Sequence, residues 1–229
     1  MIRLATAALL LCTAAAASAA DRPVGIGTFD RVRIDGAFDV RIATGRSPRA
    51  TLSGDARALD MVDLRVEGTT LYLRRRSNDA AVRAVSPVVV VTLSTQTLAS
   101  VAMLGSGKLT VAGMHTERAN LSVAGTGEIA VEGMDAQQTD ALVVGGGSIA
   151  LAGRAIKARL STNGPGEIDA AGLATDDLTV RVDGPGETRA QARYQAAISM
   201  TGLGRVVVTG NATCTIRAPA GGDVVCGNP

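Results

Sequence analysis

The sequence contains no tryptophan, two tyrosines, two phenylalanines and one histidine in 229 residues. These scarcities exclude several functions at once. A single histidine, His115, cannot build a multi-histidine zinc site, and any Ser-His-Asp or Cys-His centre would have to use it. Its position after Gly113-Met114 reads as an exposed corner instead. Enzymes that stack sugar rings on aromatic platforms would find almost no platform here. Charge is scarce in the sense of balance, with 23 Lys and Arg against 21 Asp and Glu. That gives no reason to expect nucleic acid or an acidic membrane as partner. Beyond the first twenty residues no window sustains a 3.6-residue period, so helices are not the building material.

Glycine is what the chain has in quantity, with 27 residues. A Gly-x-Gly recurs six times, at Gly105 and Gly107, Gly125 and Gly127, Gly145 and Gly147, Gly164 and Gly166, Gly184 and Gly186, and Gly202 and Gly204. The steps between first glycines are 20, 20, 19, 20 and 18 residues. A second glycine follows five of the six turns, at Gly113, Gly133, Gly153, Gly172 and Gly210. Apolar residues alternate on both sides of the turns, as in Val101 and Met103 followed by Leu109 and Val111. Period 2 marks strands with one buried face. A near-constant period of about twenty marks a solenoid. A hairpin meander would instead show Asn-Gly or Asp-Gly turns at variable spacing. The expected fold is all-β: a parallel β-helix with two glycine corners per coil. Val101, Leu121 and Val143 are expected in one column, and Leu109, Ile129 and Ile149 in another.

Met1 to Ala20 reads as a secretory signal peptide, with Arg3, an apolar run from Leu4 to Ala17, and a small-residue cleavage site at Ser18-Ala19-Ala20. An uncleaved anchor and a lipoprotein linked through Cys12 are the competing readings. The run is short for a membrane span, and Leu10-Leu11 stands where a lipoprotein signal wants small residues. Cleavage leaves Cys214 and Cys226, an expected disulfide in an exported chain, with unlinked thiols as the alternative. No transmembrane segment is expected in the mature chain, which would be periplasmic, extracellular or on the cell surface.

The expected organisation is a signal peptide over 1–20, a polar linker over 21–27, and one solenoid domain over 28–229. Within that domain, 28–95 reads as irregular N-terminal coils covering the first regular coil, 96–210 as the six repeats, and 211–229 as a C-terminal cap. In the first part, Asp35-Gly36 and Glu67-Gly68 are turns, Ala56 to Met61 is a helical turn, and Pro87 to Leu93 is a fully buried strand. The segments FDRVRIDGAFDVRI, LDMVDLRVEGTTLYLRRRS and SPVVVVTLSTQTLASVAMLGSGKLTV resemble, in this order, the bacterial auto-transporter adhesin head GIN domain family. The resemblance runs from about Thr28 to Gly210. It implies a pectin-lyase-like superhelix and a role in adhesion, with no catalytic residues and no cofactor. Nothing after Gly210 has the pattern of membrane strands, so self-transport is not expected.

Three local patterns carry possible chemistry. The Gly-x-Gly turns lack the third glycine and following helix of a dinucleotide fingerprint. GGGSIALAG has the glycines of a calcium-binding nonapeptide repeat without its aspartate. NGPGEI and DGPGET lie one unit apart, so stacking sets Asn163 over Asp183 and Glu167 over Glu187. Such oxygens can hold a hard cation or form a carboxylate pair for glycoside chemistry. The plainer reading is a solvated acidic corner eased by Arg205 in the next unit. Arg74-Arg75-Arg76 with Arg65 and Arg83 forms a basic patch, either a solvated strand end or a site for anionic glycan. The function expected is surface binding of a glycan or protein without catalysis. The alternatives are a carbohydrate-active enzyme and a periplasmic scaffold or envelope-stress component.

Overall fold

The period-2 segments flanking each Gly-x-Gly stack in parallel on their equivalents one unit away. The computed structural model describes residues 20–76 and 88–227. All of the expected signal peptide except Ala20, including Cys12, lies outside the described residues, as do Arg83 and Pro87. The fold is a parallel β-solenoid of about six turns at roughly 20 residues per coil. Its regular part comprises β8 (Ser100–Gly105), β9 (Lys108–Val111), β10 (Met114–Gly125), β11 (Glu128–Gly145), β12 (Ser148–Asn163), β13 (Glu167–Asp183) and β14 (Glu187–Met200). It is continued by β15 (Arg205–Thr209), β16 (Thr213–Arg217) and β17 (Asp223–Cys226). Strands on both sides of Gly105 to Gly107 pair in parallel with β10 and β11, so the turn is a coil corner and not a hairpin.

The inward columns follow register. Leu109, Ile129, Ile149 and Ile168 stack as one apolar column. The other expected column is corrected at its third member. Val101 and Leu121 are followed by Ala141, while Val143 lies over Val123. The step is a constant twenty residues here, and Val143 is two residues further on the same face. The lumen is lined by small side chains, including buried Ala119, Ala158, Ala170 and Ala196. Each larger inward aliphatic contributes roughly 1.5–3 kcal/mol on burial, but only because the coils above and below cover it.

Each coil has three sides rather than two. In β11 the inward residues are Ile129 and Val131, then Met134 and Ala136, then Thr139, Ala141 and Val143. Alternation skips a residue at 132–133 and again at 137–138, so the chain bends twice between one Gly-x-Gly and the next. The first bend holds the second glycine of the unit and shifts register between Val131 and Met134. The second bend has no glycine and left no sequence signal.

The repeat extends beyond six corners. β2 (Arg31–Asp35) and β3 (Phe38–Ala43) form a coil around Gly36 that packs in parallel against β8 and β9. Chain order then departs from stacking order. β4 (Arg49–Gly54), α1 (Ala56–Asp60) and β5 (Val62–Glu67) run to the far end, and β6 (Thr70–Arg75) and β7 (Val89–Ser94) return. The β6–β7 layer pairs in parallel with β2 and β3. The coil made first is therefore held between layers made later. β4 pairs antiparallel with β7, and β5 antiparallel with β6 through a turn at Gly68. The Asp55 side chain caps α1 by accepting from the backbone of Arg57 and Ala58, and Leu59 is buried against the end. Antiparallel strands thus cover this end of the solenoid.

Three details of the expected organisation change. Residues 21–27 are not a linker throughout, because β1 (Ala20–Val24) pairs antiparallel with β4. β7 alternates instead of being buried on both faces: Val89, Val91 and Leu93 point inward while Thr92 is exposed. The segment after 210 does not fold over the end. β16 and β17 pair in parallel with β14 and β15 and add one more coil. Cys214 and Cys226 occupy inward positions on its two strands and are disulfide-bonded across it, with Cα atoms 6.4 Å apart.

Candidate functional site

The corner acids meet as register dictates. Asn163 lies beside Asp183, and Glu167 beside Glu187. They do not converge on an open cation site. Arg189, two residues after Glu187 and so on the same face of the strand, reaches both glutamates, at 2.6 Å to Glu167 and 2.9 Å to Glu187. Arg205, expected to ease this corner, is turned to Asp223 at 3.3 Å. Asp183 accepts from the Thr201 hydroxyl and from Arg181 at 2.9 Å. Those two donors hold its carboxyl below the usual carboxylate range. Among the described residues no three His, Cys, Asp or Glu side chains are grouped to hold a metal ion. The basic patch is likewise paired in part: Arg74 donates to Asp63 at 2.8 Å, and Arg65 pairs with Glu67 at 3.0 Å.

A concavity lies elsewhere among the described residues, on the short second side of the coils. It is a groove of about 840 Å³ crossing β10 to β14. The side begins after the glycine bend and is only a few residues long, so each coil contributes three positions. The floor is Ala136, Ala155, Thr175 and Ala192, neighbours in register. Small side chains there leave the side concave. One wall is the row His115, Asp135, Arg154 and Gln191. The other carries Glu117, Gln137, Ile156, Asp176 and Arg193. Five strands at about 4.8 Å give a groove roughly 19 Å long.

Four of the charged side chains in the groove form two pairs. Arg154 donates to both carboxylate oxygens of Asp135, at 2.9 and 3.1 Å. This hydrogen-bonded pair lowers the pKa of Asp135 and raises that of Arg154. Arg193 faces Asp176 at 3.6 Å and lies 5.7 Å from the centre of the Tyr194 ring. Tyr194 is placed by a β-bulge. Thr175 pairs with Ala192 and Asp177 with Gln195, so two residues of β14 oppose one of β13. Bulges re-aim side chains in this way, and Tyr194 is left 57% exposed. Ile156 on the wall is 51% exposed. The groove therefore presents fixed ion pairs, amide side chains and exposed Ile156, with the exposed Tyr194 ring just outside its lining, next to Arg193.

His115 lies on this wall and not at an isolated corner. One sign of the groove was readable in the sequence, the small residue two or three positions beyond each second glycine, flanked by polar residues.

Residues 28–212 match the model of the family described as "Putative auto-transporter adhesin, head GIN domain". The chain belongs to this family. Among solved structures, it is similar to a putative adhesin from Bacteroides fragilis, with a TM-score of 0.80 and 18% identity over 92% of this chain and 95% of that one. It is also similar to a putative lipid binding protein from Parabacteroides distasonis, with a TM-score of 0.74 and 17% identity over 91% and 96% of the two chains. A putative adhesin from Parabacteroides merdae gives a TM-score of 0.70 at 17% identity, over 92% and 96%. At these identities the likeness establishes the head GIN domain fold. No curated protein matches the chain in sequence.

Proposed function

We propose that this head GIN domain is an exported binding module without catalytic activity. It engages a glycan or protein at a cell or envelope surface through the groove over β10 to β14. The observation that carries the reading is the groove itself, built on five paired strands with Asp135 paired to Arg154 and Asp176 to Arg193. Rigid elements hold such a site more closely than loops do. Paired charges favour a neutral polar ligand, since a charged one would have to compete with Asp135 for Arg154 or with Asp176 for Arg193. Export is supported by the disulfide, which persists in oxidising compartments. Absence of catalysis is supported by the corner carboxylates, which are tied to Arg189, Arg181 and Thr201.

Glycan and extracellular-protein arrays probed with the exported protein test the reading, with neutral lipid vesicles as a further arm. Tyr194→Ala and Ile156→Lys are expected to weaken the binding found by about tenfold or more. Glu167→Gln, on another side, is expected to leave it unchanged. Equal binding by wild type and both groove variants would place the function elsewhere.

A further inference from the structure

The two ends of the solenoid differ. One is covered by antiparallel β4 and β5 and by α1. At the other, among the described residues, β16 pairs only with β14, and β17 only with β15. The inward side chains of this last coil are half-open. Ile216 continues the column of buried Val180 and Ile198 yet is 46% exposed. Natural sheets blunt such edges or pair them.

This edge is complementary to itself. The corner between β16 and β17 is centred on Ala220. Counting outward from it, Arg217 matches Asp223, Ile216 matches Val224, and Cys214 matches Cys226. The backbone has the same symmetry. The amides of Asp223 and Gly227 donate back to Gly204 and Val208. Alternate residues of a strand point their backbone groups in opposite directions, so Val224 and Cys226 aim theirs out of the open end. In β16 the column of Thr215 leads back through Ala197, Thr179, Arg159 and Asp140 to Asn120, whose amide donates to the preceding coil. Cys214 and Ile216 therefore also point their backbone groups outward.

We infer that two copies of this chain stack end to end, β16 of each pairing antiparallel with β17 of the other. The two-fold axis is perpendicular to the solenoid and passes through the corner at Ala220. Ile216 then lies opposite Val224 of the partner copy, and the free backbone groups of both meet in hydrogen-bonded pairs. Arg217 lies opposite Asp223 of the partner copy, and the two disulfides face each other across the axis. A two-fold interface is isologous, so each contact occurs twice. The second side of the coil is opposite this corner, so both grooves look the same way. The dimer offers two binding surfaces side by side, which raises avidity without a new contact.

Sedimentation equilibrium of the exported, purified chain tests this. Wild type is expected to be dimeric. Arg217→Glu sets Glu against Asp twice, and Asp223→Arg sets Arg against Arg twice, and directly opposed like charges destabilise a strand pair. Each variant alone is expected to dissociate at least about tenfold more readily. Both residues are exposed; Asp223→Arg also breaks the Asp223 pair with Arg205 of its own chain, so circular dichroism checks the fold of each variant and Arg217→Glu carries the test without that change. Mixing the two variants restores two opposite-charge contacts and is expected to give a heterodimer. A monomeric wild type overturns the inference, as does a dimer indifferent to both substitutions. Failure of the mixture to associate, where each variant alone has dissociated, also overturns the stated pairing.

Discussion

At the scale of single residues, the two glycines of each corner do different work. Gly125 has φ +122°, a left-handed value that disfavours other residues. Gly166 is required by close approach: a Cβ there would lie 2.5 Å from Cγ1 of Val143 and 2.7 Å from the Gly147 carbonyl oxygen. Gly166→Ala is therefore expected to cost about 1–3 kcal/mol, the range for overpacking, measured by urea unfolding. The same change at Gly25, where nothing lies within 4 Å, is expected to be close to neutral. Asp183 supplies a second residue-scale prediction. Its folded pKa is lowered from 3.8, so the unfolded chain takes up protons first as pH falls. Its contribution to stability is complete above the unfolded value and is lost as pH drops through the lower folded one. Wild type is expected to melt above Asp183→Asn near neutrality, with the difference closing below about pH 4. A gap in Tm that stays constant to the acid limit would show that the carboxylate is not the cause. The glycines and the Asn163–Asp183 and Glu167–Glu187 pairs were legible because they recur at the period. Arg189 was legible in principle as the i+2 neighbour of Glu187, but the repeat drew attention to Arg205 at the equivalent position.

At the scale of elements, parallel stacking follows from periodicity, whereas stacking order does not. Period-2 patterns specify which face of a strand is buried and leave its neighbour unspecified. β2 and β3 have the same pattern as later units, yet they are enclosed between β6–β7 and β8–β9. Nothing in local sequence encodes that enclosure; it arises because β4, α1 and β5 cover the far end. The bends at 132–133 and 137–138 were hidden for a related reason. They reset alternation without a glycine in one case, and the short side between them has too few residues to show a period. That side is where the groove lies, so the candidate site was the least legible part of the molecule. The disulfide was legible from two cysteines in a chain whose first twenty residues read as a signal peptide, and its place across the final coil suggests its role. With a separation of 12 residues, the loop-entropy model assigns such a bond about 3 kcal/mol. Reduction, or Cys214→Ser with Cys226→Ser, is expected to raise amide exchange in β16 and β17 and leave β10 to β12 protected, because contacts in a solenoid run between neighbouring coils. Uniform loss of protection along the chain would show instead that the last coil is coupled to the whole.

For the whole molecule, the choice is between binding and turnover, and the distribution of charge bears on it. Glycoside cleavage by paired carboxylates needs one to act as an acid, with its proton retained by burial or repulsion, and the other ionised. On this solenoid the stacked carboxylates face outward and each has a cationic or hydroxyl partner. Arg189 lies between Glu167 and Glu187 and pairs with both. Asp183 is shifted the opposite way from a general acid. In the groove, Asp135 is held ionised by Arg154 and Asp176 faces Arg193. The carboxylates Glu167, Glu187, Asp183, Asp135 and Asp176 are thus each paired with a cation, an arrangement that orders the surface they lie on. A panel of neutral and acidic polysaccharides, with and without calcium, is expected to show no product with wild type or with Glu167→Gln combined with Glu187→Gln. Turnover by wild type that disappears in the double variant, with circular dichroism unchanged, would make the acidic corner an active site. Turnover that survives there and disappears with Asp135→Asn would move the chemistry into the groove. Binding without turnover, weakened by Tyr194→Ala, is the outcome that a rigid, internally paired surface requires.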